Sequence, residues 1–227
     1  LVLPEAGEEV LLHEGDTPPN QLVYGAMGAG KTVMSAQWLG LRVIEHIGIA
    51  LLGFGSGGLG VFAGAWHLMN HALAKSTAFY GAGLVLLRHN HKSLERVTGL
   101  LDQMPLAGTA ILVAGVALAG LPPFGLFSSE VLIAASAYTT KPDVAYAFLA
   151  LLAFAFATLL YQVLRMALGT PGEAGTALGR QCRIFTGAAV GINLVMLGAI
   201  GLQVPPGLET LLASIVTIFG GGMEAPR

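Results

Sequence analysis

Long apolar segments with almost no charged residues constrain the folding of this chain more than any other feature. Its 227 residues are 54% hydrophobic and only 11% charged, whereas a soluble domain carries about 25% charged residues. A soluble domain of this size would need a far more polar surface. The composition argues against a soluble enzyme, a nucleic-acid binder and a disordered chain. It predicts an all-α, polytopic transmembrane helix bundle.

The apolar segments predict about six membrane spans, because a bilayer needs about 20 helical residues per span. The segments cover residues 32–54, 61–87, 105–140, 144–168, 184–202 and 208–222. The sequence LPPFG at 121–125 interrupts the third segment and predicts one broken helix over 105–140, since proline lacks a backbone donor and disfavours straight helix. The charged, amphipathic stretch at 88–104 predicts a short helix on the membrane surface.

Basic residues fall mainly on one side of this predicted topology. That side receives Lys31, Arg88, Lys92, Arg96, Arg180, Arg183 and Arg227, with Arg165 near it. The opposite side receives only Lys141. The bias agrees with the positive-inside rule and predicts a multi-pass protein of a bacterial or archaeal inner membrane. The single cysteine, Cys182, excludes a thiolate metal site built from this chain alone, and we expect neither metal nor cofactor.

The polar segment 1–31 is expected to lie outside the membrane domain at 32–222, and residues 223–227 form a tail. GAMGAGKT at 25–32 fits the phosphate-binding loop pattern. The residues that match are Gly25, Gly30, Lys31 and Thr32. A nucleotide domain needs further parallel strands and an acidic metal partner, but membrane helix follows here. A foreign or mis-started segment is therefore the preferred interpretation, and a nucleotide-binding fusion is the alternative.

Three titratable residues, His67, His71 and Lys75, follow one another at i, i+4 and i+8 in WHLMNHALAKS. This spacing places them on one helix face over about 12 Å. Lys75 falls at the middle of its span, where a charge costs at least about 2.5–3.5 kcal/mol. Because histidine titrates near neutrality, the line has the layout of a proton relay. The alternative is structural, with histidines bonding neighbouring helices and a lysine that reaches the membrane surface.

Glu130 follows the Pro-Pro break inside an apolar run. A half-helix beginning near Phe124 would carry Ser128, Ser129 and Glu130 in its first turns. Unpaired backbone at membrane depth is tolerated only against protein or a wet cavity, so this arrangement predicts a transport site. The alternative is a loop that holds Glu130 at the membrane interface.

Glu45 and His46 are a weaker pair of candidates in the first span. Adjacent helical residues point about 100° apart, so the two side chains cannot share one face. We expect His46 to join an internal polar chain and Glu45 to pair elsewhere. A purely structural role for both residues is the alternative.

Three segments together carry a family resemblance: IEHIGIALLGFG at 44–55, HLMNHALAKSTAFYGAG at 67–83 and ALAGLPPFGLFSSEVLI at 117–133. They resemble the antiporter-like membrane subunits shared by NADH:quinone oxidoreductase (complex I), energy-converting membrane hydrogenases and multisubunit sodium/proton antiporters. The third segment is most similar to the hydrogenase-four or formate-hydrogenlyase type. The resemblance runs from about residue 43 to about residue 200.

The resemblance implies a role for each buried group. His46 matches the central histidine of the family's linking helix, His67, His71 and Lys75 match its relay helix, and Glu130 matches the ionisable group beside its broken helix. Protons move along such a line in that family, driven by redox chemistry in other subunits. The chain would then be a non-catalytic subunit without a redox centre. Its partners would be other membrane and peripheral subunits and the lipid bilayer, with no nucleic acid.

The chain also departs from the family pattern. The family fold has two inverted five-helix repeats, each with a broken helix, and only the second repeat is matched here. Arg42-Val43 stands where the family has a Ser-Ser turn. We therefore expect a fragment that covers the second half of such a subunit. A cation/proton antiporter component and a structural membrane subunit are the alternatives to a redox-driven proton pump.

Overall fold

A computed structural model describes residues 39–89, 98–170, 180–202 and 204–220, and all regular structure within these ranges is α-helical. The helices are α1 (Leu39–Ser56), α2 (Leu59–His89), α3 (Leu100–Gln103), α4 (Pro105–Leu118), α5 (Gly125–Thr140), α6 (Pro142–Leu168), α7 (Arg180–Leu202) and α8 (Pro206–Gly220). The all-α prediction is confirmed for this part of the chain. The segment 1–31, its phosphate-loop pattern and the tail at 223–227 lie outside the described residues.

The predicted apolar segments correspond to helices within the described ranges. By length and composition, α6 and the Ile184–Gly201 part of α7 could each cross a membrane. Helix α2 is longer, with 31 residues, but its polar residues make it less apolar. Helices α4 and α5 have 14 and 16 residues, fewer than the about 20 that a span needs, and together they form the predicted broken helix. The number of crossings stays a prediction.

Helix α2 lies at the centre of the bundle and packs against α1, α4, α5, α7 and α8. It runs antiparallel to both halves of the broken helix, since Gly81 faces Ile111 of α4 whereas Gly60 faces Ser136 of α5. A Cβ atom on Gly81 would lie 2.8 Å from Ile111 Cγ1. Small residues permit this close approach, as they do between helices in membranes.

The break between α4 and α5 lies beside the middle of α2. Ala74 packs together with Ala117 from the end of α4 and Leu126 from the start of α5. Gly120 takes a positive φ of 69°, which glycine adopts without the steric cost of a side chain. Phe124 caps α5 in an extended conformation, so the half-helix begins where the sequence predicted. The Pro122–Pro123 peptide bond is cis.

The bundle has two distinct ends. Thr98 Oγ1 donates a hydrogen bond of 2.6 Å to the carbonyl oxygen of Thr170, which places the segment before α3 at the C-terminal end of α6. Arg88 Nη1 donates to the Gln103 carbonyl oxygen at 2.9 Å, so the end of α2 lies at this end too. Lys141 immediately precedes α6 and therefore lies at the opposite end.

The expected surface helix over 88–104 differs from the structure. Helix α2 continues to His89, residues 90–97 lie outside the described residues, and the remainder forms the one-turn helix α3. Leu100 is fully buried in α3 and packs with Leu84 and Ala107. The turn is therefore anchored in the bundle by its apolar side chains.

Candidate functional site

His67, His71 and Lys75 lie on a single face of α2, as their spacing predicts. His67 is fully buried and His71 is 8% exposed, whereas Lys75 is half-buried. Because Ala74 packs against both sides of the helix break, Lys75 lies at the level of the break. His71 lies one helical turn from Lys75 and His67 lies two turns from it, on the side of the break where α5 begins.

His46 from α1 joins this face of α2. Its Nδ1 atom lies 3.0 Å from His67 Nε2, within hydrogen-bonding distance. Its ring also stacks on His71, with ring centroids 4.4 Å apart and an interplanar angle of 26°. The expectation that His46 belongs to an internal polar chain therefore agrees with its position in the structure.

Ser129 from α5 continues the chain on the other side of His67. Ser129 Oγ lies 2.9 Å from His67 Nδ1 and donates to the Leu126 carbonyl oxygen at 2.8 Å. A continuous hydrogen-bonded path thus connects α1, α2 and α5 through His46, His67 and Ser129. We call these three residues, together with His71 and Glu130, the histidine cluster.

Glu130 lies within α5 and is only 4% exposed. This position excludes the alternative in which a loop holds it at the interface. Each of His46, His67 and Glu130 offers a side-chain nitrogen or oxygen within 4.8 Å of the others. Glycine at position 120 is required here, because a Cβ atom would overlap the Glu130 carboxylate. The helix break therefore makes room for the acid.

Glu45 and Ser128 flank the cluster on α1 and α5. Glu45 is half-buried on the adjacent face of α1 and lines an apolar cavity of about 360 Å³ between α1 and α6. Ser128 is half-buried one residue before Ser129, and the helical step of about 100° turns it to another face of α5.

Sequence reasoning missed Asn70, which is fully buried between the two histidines of α2. Its Nδ2 atom donates to the Trp66 carbonyl oxygen at 3.0 Å, and its Oδ1 atom is directed at Gly125, the first residue of α5. A single amide within an apolar run was the available signal. It lies three residues after His67 and shares much of its helix face.

Several buried polar atoms of the site have no hydrogen-bond partner among the described residues. They are Asn70 Oδ1, His71 Nε2, Glu130 Oε1 and Trp66 Nε1. A buried polar atom left without a partner costs about 1–3 kcal/mol. Buried water, which typically makes about three hydrogen bonds, is the usual partner of such atoms. The chemistry of the site therefore suits a hydrated polar path.

His46, His67 and Glu130 are also the described residues that best fit a metal-ligand set. The two facing imidazole nitrogens lie 3.0 Å apart. This separation permits a hydrogen bond between the rings, through which a proton can pass from one imidazole to the other.

The sequence matches the family described as NADH:quinone oxidoreductase/Mrp antiporter, transmembrane, over residues 21–158. The resemblance described above was expected over about residues 43–200. The matched range therefore begins earlier and includes the phosphate-loop pattern at 25–32. It also contains every member of the histidine cluster.

Two curated relatives illustrate the match. The hydrogenase-4 component F homolog of Methylacidiphilum infernorum is 30% identical over 165 residues, which are 72% of this chain and 33% of the relative. Formate hydrogenlyase subunit 3 of Escherichia coli is 39% identical over 104 residues, which are 40% of this chain and 17% of that protein. The chain thus spans about a third or less of the curated relatives it matches.

Two solved structures share the fold. Respiratory complex I from Thermus thermophilus with bound NADH includes a chain that aligns with a TM-score of 0.67 at 21% identity, over 90% of this chain and 45% of that one. A chain of the Mrp complex from Dietzia sp. aligns with a TM-score of 0.65 at 18% identity, over 89% of this chain and 48% of that one.

Proposed function

Because the chain belongs to the transmembrane family of NADH:quinone oxidoreductase and Mrp antiporter subunits, we propose that it is part of a multi-pass inner-membrane subunit that moves protons across the membrane. The membrane location follows from the family. The proton path, the inner membrane and the driving reaction are our proposal.

The hydrogen-bonded path His46–His67–Ser129 is the observation that carries this proposal. It connects three helices beside a helix break. Buried ionisable groups are expensive in a bilayer and usually mark ion or proton pathways when they lie inside a helix bundle. A structural role alone would not need two facing imidazoles, since any fully satisfied polar pair would join the helices.

Lys75 is the central switching group in this mechanism. A proton released by Lys75 passes along the α2 face to the histidines of the cluster, whose ring nitrogens can accept and release protons, and leaves towards Glu130. The coupling is electrostatic, because a positive charge arriving nearby repels the ammonium group of Lys75 and promotes release of its proton. Water held by Asn70, His71 and Glu130 would bridge the gaps that direct contacts do not close.

The ligand types in the histidine cluster favour H⁺ over Na⁺ as the transported ion. Hard cations are bound by carboxylate, carbonyl and water oxygens, whereas the path here consists largely of imidazole nitrogens. A cation/proton antiporter component is the alternative function. It would exchange H⁺ through this path for a second cation bound elsewhere in the complete protein.

We propose that the partners are other membrane and peripheral subunits of a respiratory or hydrogenase complex. The relatives named hydrogenase-4 component F homolog and formate hydrogenlyase subunit 3 motivate this assignment. Redox chemistry would take place in those partners, and this chain would carry no redox cofactor of its own.

The substitution Lys75→Met in the full-length protein and its native complex tests the proposal. The complex would be reconstituted into liposomes, and proton uptake would be followed with a pH-sensitive dye alongside electron transfer. We expect assembly to be preserved and proton uptake to be strongly reduced. Lys141→Met is the matched control, because Lys141 is exposed outside α5 and α6, and it should pump normally.

Two outcomes would reject the assignment. A correctly assembled Lys75→Met complex that pumps at the wild-type rate would exclude Lys75 as the switching group and favour a structural subunit. Proton uptake that requires added Na⁺ or K⁺ in the wild type would favour the antiporter alternative.

A further inference from the structure

Each hydrogen bond around His67 has a donor and an acceptor, and the positions of the protons determine which atom is which. Five atoms follow one another: Leu126 O, Ser129 Oγ, His67 Nδ1, His67 Nε2 and His46 Nδ1. The successive contacts between residues are 2.8, 2.9 and 3.0 Å. Ser129 and His67 are both fully buried, so bulk water does not compete for these bonds.

The backbone carbonyl at the start of this series can only accept a hydrogen bond. The hydroxyl of Ser129 has a single proton, and its 2.8 Å distance to Leu126 O is typical of an O–H···O bond. With its proton directed at Leu126, the hydroxyl oxygen is left as an acceptor. His67 Nδ1 must then be the donor and carry a hydrogen.

A neutral imidazole carries only one N–H. If that hydrogen is on Nδ1 of His67, then Nε2 holds the lone pair and accepts from the Nδ1–H of His46. We propose that Ser129 is a positioning residue which holds His67 in its Nδ1–H tautomer, so that His67 receives protons on Nε2 and only from His46. This inference rests on the proposed function, because it specifies how the relay is ordered.

The proton transfer that this arrangement permits is balanced. When His46 is doubly protonated, its Nδ1–H bond breaks as an Nε2–H bond forms on His67. His46 is then neutral, and His67 carries the positive charge with hydrogens on both nitrogens. In the other tautomer of His67, a hydrogen already on Nε2 would face His46 and block this transfer.

The proposal is tested by ¹⁵N NMR of histidine-labelled protein in its membrane complex, comparing wild type, Ser129→Ala and Ser128→Ala. The chain has six histidines, and the spectrum of His67→Gln identifies the His67 signals. In the wild type we expect a protonated Nδ1 and an unprotonated Nε2. Ser129→Ala should shift His67 towards the Nε2–H form, whereas Ser128→Ala, one helical step away, should not.

Proton uptake supplies the second readout. Removing one hydrogen bond changes the tautomer equilibrium constant about fivefold, and we expect uptake in Ser129→Ala to fall by no more than about that factor. Ser129→Thr retains the hydroxyl and should retain both the tautomer and the uptake rate. If the alanine variant does not assemble, Ser129→Cys serves the same test, because it keeps the volume but has only a weak hydrogen-bonding sulfur.

The possible results distinguish failure of the proposed role of Ser129 from failure of the proposed proton transport. An Nε2–H tautomer in the wild type, an unchanged tautomer in Ser129→Ala, or an equal shift in Ser128→Ala would each overturn the role of Ser129, even if Lys75→Met abolishes pumping. Conversely, a tautomer shift confined to Ser129→Ala supports it. That shift would persist even if Lys75→Met pumped normally and the proposed function failed.

Discussion

The carboxylate of Glu130 lies where a side chain on Gly120 would have to be. Gly120 also has a φ of 69°, which side-chain-bearing residues adopt at a cost of roughly 1–2 kcal/mol. The break in the α4–α5 helix and the position of the buried acid are therefore one structural feature. Neither can be changed without disturbing the other.

The substitution Gly120→Ala tests this relationship. We predict a loss of about 1–2 kcal/mol from the backbone conformation, together with displacement of Glu130 and reduced proton uptake. The midpoint of thermal unfolding in detergent measures the first effect. Gly191→Ala in α7 is the control, because nothing lies within 4 Å of its added Cβ atom; an equal loss in both variants would contradict the prediction.

Glu130→Gln tests whether the path needs the ionisable group of Glu130 or only its side-chain shape. The amide nearly matches the carboxyl group in size but cannot ionise, so the variant should assemble normally while proton uptake falls. Glu209→Gln is the control on the exposed surface of α8, where substitutions usually change stability by less than about 0.5 kcal/mol. Uptake at the wild-type rate by assembled Glu130→Gln would remove Glu130 from the path.

His46→Gln is predicted to interrupt the path at α1. Glutamine can still hydrogen-bond to His67 but cannot carry a proton, and a positioned acid–base group is worth about a hundredfold in rate. We expect proton uptake to fall by about that factor with little change in assembly. Ile47→Ala alters the next residue, which is 44% exposed and faces away from the cluster, and should leave uptake intact.

Gly64→Ala is predicted to push α1 away from α2 while leaving every ionisable residue unchanged. Its Cβ atom would lie 2.9 Å from the Ala50 carbonyl oxygen, and overpacking of this kind costs about 1–3 kcal/mol. The thermal midpoint should fall, whereas Gly198→Ala, which meets nothing within 4 Å, should leave it unchanged or higher. No difference between the two variants would show that the α1–α2 contact is not limiting for stability.

Local patterns in the sequence predicted the elements that depend on neighbouring residues. The spacing of His67, His71 and Lys75 was sufficient to place them on one face of α2, because helical geometry repeats within a few residues. The Pro-Pro pair was sufficient to predict the break and the start of α5 near Phe124. The prediction of one helix over 88–104 was wrong in its described part, since α2 continues to His89 and the next helix begins only at Leu100, where that residue packs against Leu84 and Ala107.

The sequence by itself therefore determined that the chain is helical and apolar, that one helix is broken, and which titratable residues share the face of α2. Only the tertiary structure decided that His46 bonds to His67, that Ser129 bonds to the other side of the same ring, and that Gly120 leaves space for Glu130. These contacts join residues on different helices, or a residue of the helix break to one of α5, and they depend on how closely the segments pack and in which register. Periodicity within a single helix carries no information about either quantity.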